Sequence, residues 1–289
     1  MKPTIAVIAP GAMGSGVARR LAEGGATVPT LLDGRSAATR ARAQAAGMHG
    51  ADERLIVAAD IILSIVPPGE AMALAERLAP ALRATPRKPV YVDCNAVNVE
   101  TVQAIAAVIA PTGAGFADGG IIGGPPAPGG PRGSGPVLYL AGPEAARLGV
   151  LGDLGLRIRV LDGPVGAASA LKMSYAGITK GLTGLAAAMI LAAERAGAGP
   201  ALHAELADSQ PQLLAKFERS VPDMYAKAYR WVAEMREIAD FLGPDDPARL
   251  IYEGMAGLYE RLAADVAGEK RDIAALDAFL ATGKADAAA

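Results

Sequence analysis

The chain is poor in the residues that most directly announce chemistry. Its 289 residues include one cysteine, Cys94, which excludes an intrachain disulfide framework and a cysteine-rich zinc centre. Two histidines, His49 and His203, leave little for a histidine metal site, so no metal is expected. Aromatic residues make up 4% against 52% hydrophobic residues overall. The core must therefore be built from Ala, Val, Leu, Ile and Gly, and there is enough of it to exclude disorder as the main state. A formal net charge of −2 leaves no basic surplus to neutralise a phosphate backbone, so no nucleic-acid partner is expected. Long hydrophobic runs are missing as well. The longest uncharged apolar stretch, between Lys180 and Glu194, falls short of the ~20 residues that span a bilayer. The apolar run at 5–9 after Lys2 passes into a glycine loop and not into a small-residue cleavage site. No membrane association is expected, and a cytoplasmic protein is the default class.

At roughly 150 residues per domain the length suggests two domains. The first half alternates short β-type runs with helical patterns. Strands are expected at 4–8, 28–32, 60–66, 89–93, 116–122 and 137–141. The run at 60–66 (DIILSIV) is almost continuously apolar, as in a strand buried on both faces. Helices are expected after Gly14, at 36–46, at 69–82 and at 99–109. Such alternation predicts a Rossmann-type, doubly wound parallel sheet with right-handed crossovers. From Val165 onward no β-type run is found. Leu171, Tyr175, Ile178, Leu182, Leu185 and Met189 follow a 4-3-4-3-4 spacing, which predicts one apolar core stripe on a long helix. Breaks are expected at Gly199-Pro200, Pro211, Pro222 and Gly243-Pro244, and an Ala-rich tail after about Lys284 is expected to fray. The boundary is placed near Gly163-Pro164, giving an α/β domain at 1–162 and an all-α domain at 163–289.

Ala9, Pro10, Gly11, Ala12, Met13 and Gly14 follow the first strand and open the first helix. This is where a dinucleotide fingerprint lies. Its chemistry needs backbone free of side chains near a pyrophosphate, and a helix N-terminus whose free N–H groups favour the anion. Gly11 and Gly14 hold the second and third glycine positions, and Ala9 replaces the first. After the second strand come Asp33, Gly34, Arg35 and Ser36. An acid there accepts the adenosine ribose 2′-OH and favours NAD, whereas Arg35, Ser36 and Arg40 would hold a 2′-phosphate. NADP is the favoured cofactor, with NAD the alternative. Val66 and Pro67, where the 60–66 strand ends, join the cofactor-binding candidates.

With these residues in view, the chain resembles the β-hydroxyacid dehydrogenase superfamily, the group of 6-phosphogluconate dehydrogenase and 3-hydroxyisobutyrate dehydrogenase. The resemblance covers most of the chain. It rests on residues 8–14, 92–100 (VDCNAVNVE), 118–124 (DGGIIGG), 135–142 and 166–172 (GAASALK). Residues 172–181 and 228–235 resemble a poorly characterised branch with its own C-terminal domain. The resemblance implies an NAD(P)-dependent oxidoreductase passing hydride between nicotinamide and a hydroxy acid or related alcohol. Lys172 matches the family's helix-borne acid/base. A free lysine titrates near ~10.4, so a base role needs burial or a neighbouring cation.

Ile122, Gly123 and Gly124 match a substrate loop that family members write D-x-P-V-S-G-G, with Ile122 in place of the serine. Ala176 stands where the family often has asparagine. Two polar contacts are thus lost, which implies a bulkier or less polar small-molecule substrate. Asn95 is a candidate substrate or nicotinamide contact, or a loop cap. Tyr175, one turn from Lys172, is a further substrate candidate, and Arg132, in the Gly- and Pro-dense segment 123–136, is a candidate anion contact on a lid. Cys94 is read as a small buried hydrophobe, Trp231 as packing, and Lys180 as solvated or structural. A homodimer is expected, with Gly177, Gly181 and Gly184 offering a close-approach face and residues 229–235 of the partner walling the pocket; cover by the chain's own helices is the other reading. An imine reductase of the same architecture and a non-catalytic NADP-binding sensor remain alternatives.

Overall fold

The structure, a computed structural model, describes residues 2–286; the last part of the expected frayed tail, 287–289, lies outside them. The chain divides into two compact units, Met1–Met173 and Ser174–Ala289.

In the first unit, β1 (Ile5–Ile8), β4 (Ile61–Ser64), β5 (Val90–Asp93) and β6 (Gly115–Ile122) lie side by side and parallel. β7 (Val137–Ala141) pairs antiparallel to β6, and β8 (Arg157–Val160) continues parallel to β7. β2 (Val28–Thr30) and β3 (Met48–Gly50) form a separate parallel pair, tied to the sheet by a bridge from Thr4 to Thr27. Chain order therefore reverses between β1 and β4, and such a switch point is where open α/β sheets bind ligands. The period of two explains the continuous apolar runs. Ile5, Val7, Leu63 and Val92 face one core, closed by Val17, Ala18 and Leu21 of α1 (Ala12–Glu23). Ala6, Ile8, Ile62 and Tyr91 face the other, closed by Leu74 and Leu78 of α4 (Ala71–Ala84) and Val102 and Ile105 of α5 (Val99–Ile109).

The all-parallel expectation is corrected at one pairing, β6 with β7, because the connection between them returns on the same edge without a crossover helix. β3 and β8 went unread. β8 (RIRV) is a charged edge strand largely open to solvent, and edge strands carry charge because it blocks further pairing. Local caps set the helix starts. Ser36 caps α2 (Ala37–Ala45), Asp52 caps α3 (Glu53–Val57), and Asn98 caps α5, each side chain accepting the backbone N–H three residues on. The short α6 (Val150–Asp153) precedes β8.

α7 (Ala167–Arg195) begins in the first unit and runs into the second, where α8 (Gly199–Ser209), α9 (Pro211–Tyr225), α10 (Ala228–Leu242), α11 (Arg249–Ala267) and α12 (Arg271–Asp286) follow. Pro211 starts α9, where its missing N–H costs nothing. Pro222, expected to break a helix, lies inside α9. The expected core stripe on α7 is also corrected. Tyr175, Ile178, Leu185 and Met189 are 51%, 67%, 54% and 57% exposed, whereas Gly177, Thr183, Gly184, Ala187 and Leu191 on the small-residue side are buried. The reason is packing distance. A Cβ at Gly177 would lie 3.0 Å from the Tyr252 hydroxyl, and one at Gly184 would lie 2.1 Å from Met255 Sδ. The glycine face is thus filled by α11 of the same chain, as the alternative reading had it. By length and composition α7 is apolar enough to cross a membrane, with a mean hydropathy of 1.5 over its most apolar 18 residues; its start is held in the sheet domain, described below, and its glycine face is covered by α11.

Candidate active site

The turn from β1 into α1 carries the first part of the site. Gly11 caps α1 in an extended conformation with no side-chain hydrogen bond, so no side chain of the cap occupies the amides of the first helical turn. A Cβ on Gly11 would meet nothing within 4 Å, whereas one on Gly14 would lie 1.9 Å from the Ala9 carbonyl oxygen. Gly14 is required by the protein's own backbone, and Gly11 leaves space above it. An open cradle at a helix N-terminus fits a pyrophosphate. Arg42 donates from Nη1 to the Pro10 carbonyl at 3.2 Å, which brings a cation to this turn.

Beside it lies a cavity of about 360 Å³ lined by Asp33, Gly34, Arg35, Val66, Glu70 and Leu74, among others. The structure thus brings together Asp33, Arg35 and Val66. Ser36 is engaged locally: its Oγ accepts from Thr39 N–H at 3.2 Å and pairs with the Thr39 hydroxyl. Arg40 donates to the Arg35 carbonyl.

The third part is a buried polar network at the carboxyl ends of β4 and β5, beside Asp118 in the middle of β6. Asn95 Oδ1 accepts the Val66 N–H at 2.7 Å, and Nδ2 donates to Ser64 Oγ at 2.9 Å and to Asp93 Oδ2 at 2.8 Å. Its own N–H donates to Asp93 Oδ1. Asn95 is 2% exposed, and its amide is turned inward and ties β4 to β5. Asp93 stands level with Asp118 across β5 and β6. Burial pushes the Asp93 carboxyl up to about 6; the hydrogen bonds from Asn95 oppose this, Asp118 adds to it, and the Lys172 ammonium lowers it again. Lys172 is therefore within electrostatic reach of Asp93. Burial likewise drives the Cys94 thiol upward, so Cys94 is a neutral, buried thiol.

Lys172 is half-buried, one turn along α7 from an anchoring carboxylate. Asp118 Oδ2 accepts the N–H groups of Gly166, Ala168 and Ser169 at 2.8–3.0 Å, and Oδ1 accepts the Ser169 hydroxyl at 2.7 Å. Asp93, Asp118, Ser64 and Ser169 were not singled out from the sequence. The available signal was an acid within each of two apolar runs: Asp93 closes β5 (VYVD), and Asp118 lies in the middle of β6 (GFADGGII).

Ile122 is half-buried at the end of β6, and Gly123 and Gly124 are exposed. The segment 123–136 is moored along α1 and β8. Pro126 lies against Gly16, Arg20 donates to the Gly130 carbonyl at 2.6 Å, and Arg157 donates to the Gly135 carbonyl. Arg132 donates to the Asp153 carbonyl. Tyr175 belongs to the second unit and is exposed on the α7 stripe. There too, Lys180 is paired with Glu234 and lies 5.3 Å from the Trp231 ring centre, a structural role. Of the segment 229–235, Trp231 and Met235 are buried in their own chain and Tyr229 is exposed. Among the described residues no cluster of His, Cys, Asp or Glu could hold a metal.

Residues 4–145 match the family described as the NAD binding domain of 6-phosphogluconate dehydrogenase. Residues 193–262 match DUF1932, a domain of unknown function. The chain thus joins an NAD binding domain of the 6-phosphogluconate dehydrogenase kind to a DUF1932 domain, and its resemblance to the β-hydroxyacid dehydrogenase superfamily rests on that pair. Solved structures repeat the fold. A conserved protein of unknown function, described as structurally similar to 3-hydroxyacid dehydrogenases, is 26% identical, with a TM-score of 0.70 over 92% of this chain and 98% of its own. The 3-hydroxyisobutyrate dehydrogenase of Mycobacterium tuberculosis, solved with L-serine, is 18% identical, with a TM-score of 0.71 over 92% and 96%. A variant of the imine reductase of Myxococcus stipitatus, in complex with NAD+, is 22% identical, with a TM-score of 0.55 over 97% and 100%. No curated protein matches the chain in sequence.

Proposed function

We propose that this NAD(P)-dependent oxidoreductase transfers hydride between the nicotinamide and a carbon bearing a hydroxyl, with Lys172 as the acid/base. The observation that carries the reading is the setting of Lys172: half-buried on α7, its Cβ 3.5 Å from where a Cβ on Gly120 of β6 would lie, past the carboxyl end of β5. The pyrophosphate cradle and the Val66 edge of the nucleotide cavity open from that same end of the sheet. The nicotinamide, when bound, supplies the hydride acceptor in oxidation and the donor in reduction. In oxidation Lys172 Nζ takes the hydroxyl proton as the carbon gives up hydride; in reduction Nζ returns it. Asn95 holds Val66 in place.

Arg35 at the nucleotide cavity supports NADP as the preferred cofactor, since a guanidinium pairs with a 2′-phosphate. Ile122 in the loop and Ala176 on α7 support a substrate less polar than a small β-hydroxy carboxylate. The imine reductase neighbour has this architecture, and the retained lysine favours the alcohol reaction over it. The test is a panel of hydroxy acids, sugar acids, alcohols and imines, read by NADPH absorbance with each cofactor. Lys172→Ala should lower kcat by roughly 10²–10⁴ with NADP affinity nearly unchanged. An equal loss of cofactor affinity would make Lys172 a structural residue, and absence of turnover across the panel would favour the sensor reading.

A further inference from the structure

We propose that Asp118 is the positioning residue for Lys172, fixing where the ammonium stands by clamping the first turn of α7 onto β6. The inference rests on the reading of Lys172 as acid/base, and it concerns a residue that makes no contact with either reactant in that mechanism.

A helix leaves its first N–H groups without partners, and a side chain next door usually supplies the cap. Here the cap comes from a strand 48–51 residues earlier in the chain. One fully buried carboxylate accepts three of those amides and the Ser169 hydroxyl. Charge-assisted bonds of this kind are about twice as strong as neutral ones, and the helix dipole adds to them. Two residues further along β6, on the same face as Asp118, comes Gly120. A Cβ there would lie 2.6 Å from the Ala168 carbonyl oxygen and 3.5 Å from Lys172 Cβ. α7 is therefore seated on β6 at two points, Asp118 and Gly120, with the backbone of Ala168 held between them. Lys172 follows Ala168 by four residues and Ser169 by three, so it stands directly over the clamp.

The opposite wall is equally fixed. Asp93 is level with Asp118 in the next strand, and its carboxylate is held by the Asn95 side chain and backbone. Moving the start of α7 would change the distance from the ammonium to Asp93, and with it the ease with which Nζ gives up or regains a proton. A displacement of ~1 Å in a catalytic group can cost about 10²-fold in rate.

The experiment uses the full chain and reads Lys172 directly. Lysines are modified with an amine-selective reagent, trinitrobenzenesulfonate, over a pH series, and the modification of Lys172 is followed by peptide mass spectrometry. Two variants are compared with the parent: Asp118→Asn, which weakens the clamp and removes its charge, and Ser169→Ala, which removes one bond and no charge. Hydrogen exchange of peptides outside 166–172 and thermal melting establish that each is folded. In both, exchange in 166–172 should rise by about tenfold or more, and the pH of half-reaction at Lys172 should move by about half a unit or more. NADP affinity should stay within about twofold, and kcat for the best panel substrate should fall while KM changes little. An unaltered pH profile at Lys172 in folded variants overturns the proposal, and Ser169→Ala carries the test if Asp118→Asn does not fold. A displaced profile with unchanged kcat would leave the clamp standing and sink the acid/base reading of Lys172.

Discussion

Asn95 accepts the backbone N–H of Val66 at 2.7 Å from 29 residues away, and through that bond the buried Asp93–Asn95–Ser64 cluster is joined to the rim of the cavity lined by Asp33 and Arg35. Val66 lines the cavity; Asn95 reaches neither the cavity nor solvent. Replacing Asn95 by Ala would leave the Val66 N–H and the Ser64 hydroxyl buried without that partner. Each such group costs about 1–3 kcal/mol. The expected outcome is a loss of roughly 2–4 kcal/mol in urea unfolding, with dinucleotide affinity weakened more than substrate KM is raised. A variant with parental stability and a raised KM would restore Asn95 to the substrate site.

Arg35 and Asp33 line one cavity and favour different cofactors. Arg35→Ala should weaken NADP by about 1.5–3 kcal/mol and NAD far less, because only the 2′-phosphate loses a charge-assisted bond. Titration of both cofactors into the parent and the variant decides it. Equal losses, or tighter NAD binding in the parent, would remove the NADP assignment.

Asp93 makes stability depend on pH in a direction opposite to a salt-bridged carboxylate. Its folded value, about 6, stands above the ordinary 3.8, so the folded state holds the proton more tightly. The stabilisation is fully present below about pH 4 and is lost as pH rises through about 6. Other carboxylates titrate in the same window, so the informative quantity is parent minus Asp93→Asn. That difference should fall by roughly 2–3 kcal/mol between pH 4 and pH 7. Urea unfolding at the two ends measures it, and a difference that does not change with pH would contradict the burial argument.

How much of this was legible in the sequence follows from how local each signal is. The glycine turn between β1 and α1 was legible because its requirement, a bare Gly14 under the Ala9 carbonyl, lies within six residues. β4 was legible because both its faces are buried. β8 was not, since an edge strand needs only Ile158 turned inward. The Asp93–Asn95–Ser64 cluster and the Asp118–Ser169 clamp join residues 31 and 51 apart, and no spacing rule announces either. The α7 stripe misled for a related reason. Periodicity says which residues share a face; it does not say whether large or small ones meet the neighbouring helix. Glycines won because α11 brings Tyr252, Met255 and Tyr259 to that side.

That reversal redirects the expected homodimer to a different surface. Gly181 faces the Tyr252 ring of its own chain, at 3.4 Å from a Cβ, so Gly181→Leu should overpack the helix pair and lower Tm without acting on assembly directly. The exposed residues Tyr175, Ile178, Leu185 and Met189, with the half-buried Leu182 among them, form an apolar row of a kind that monomers rarely leave open. The row is nearly symmetric about Leu182: Tyr175 and Met189 are each seven residues from it. Two copies of α7 laid antiparallel would pair Tyr175 with Met189, Ile178 with Leu185, and Leu182 with itself, the self-complementary arrangement that a two-fold axis requires. The double variant Ile178→Glu, Leu185→Glu should therefore sediment as a folded monomer at micromolar concentration while the parent sediments as a dimer. Both substitutions fall on exposed positions, so its circular dichroism should match the parent's. A parent that sediments as a monomer at that concentration refutes the pairing, and a double variant that remains dimeric moves the interface off this row.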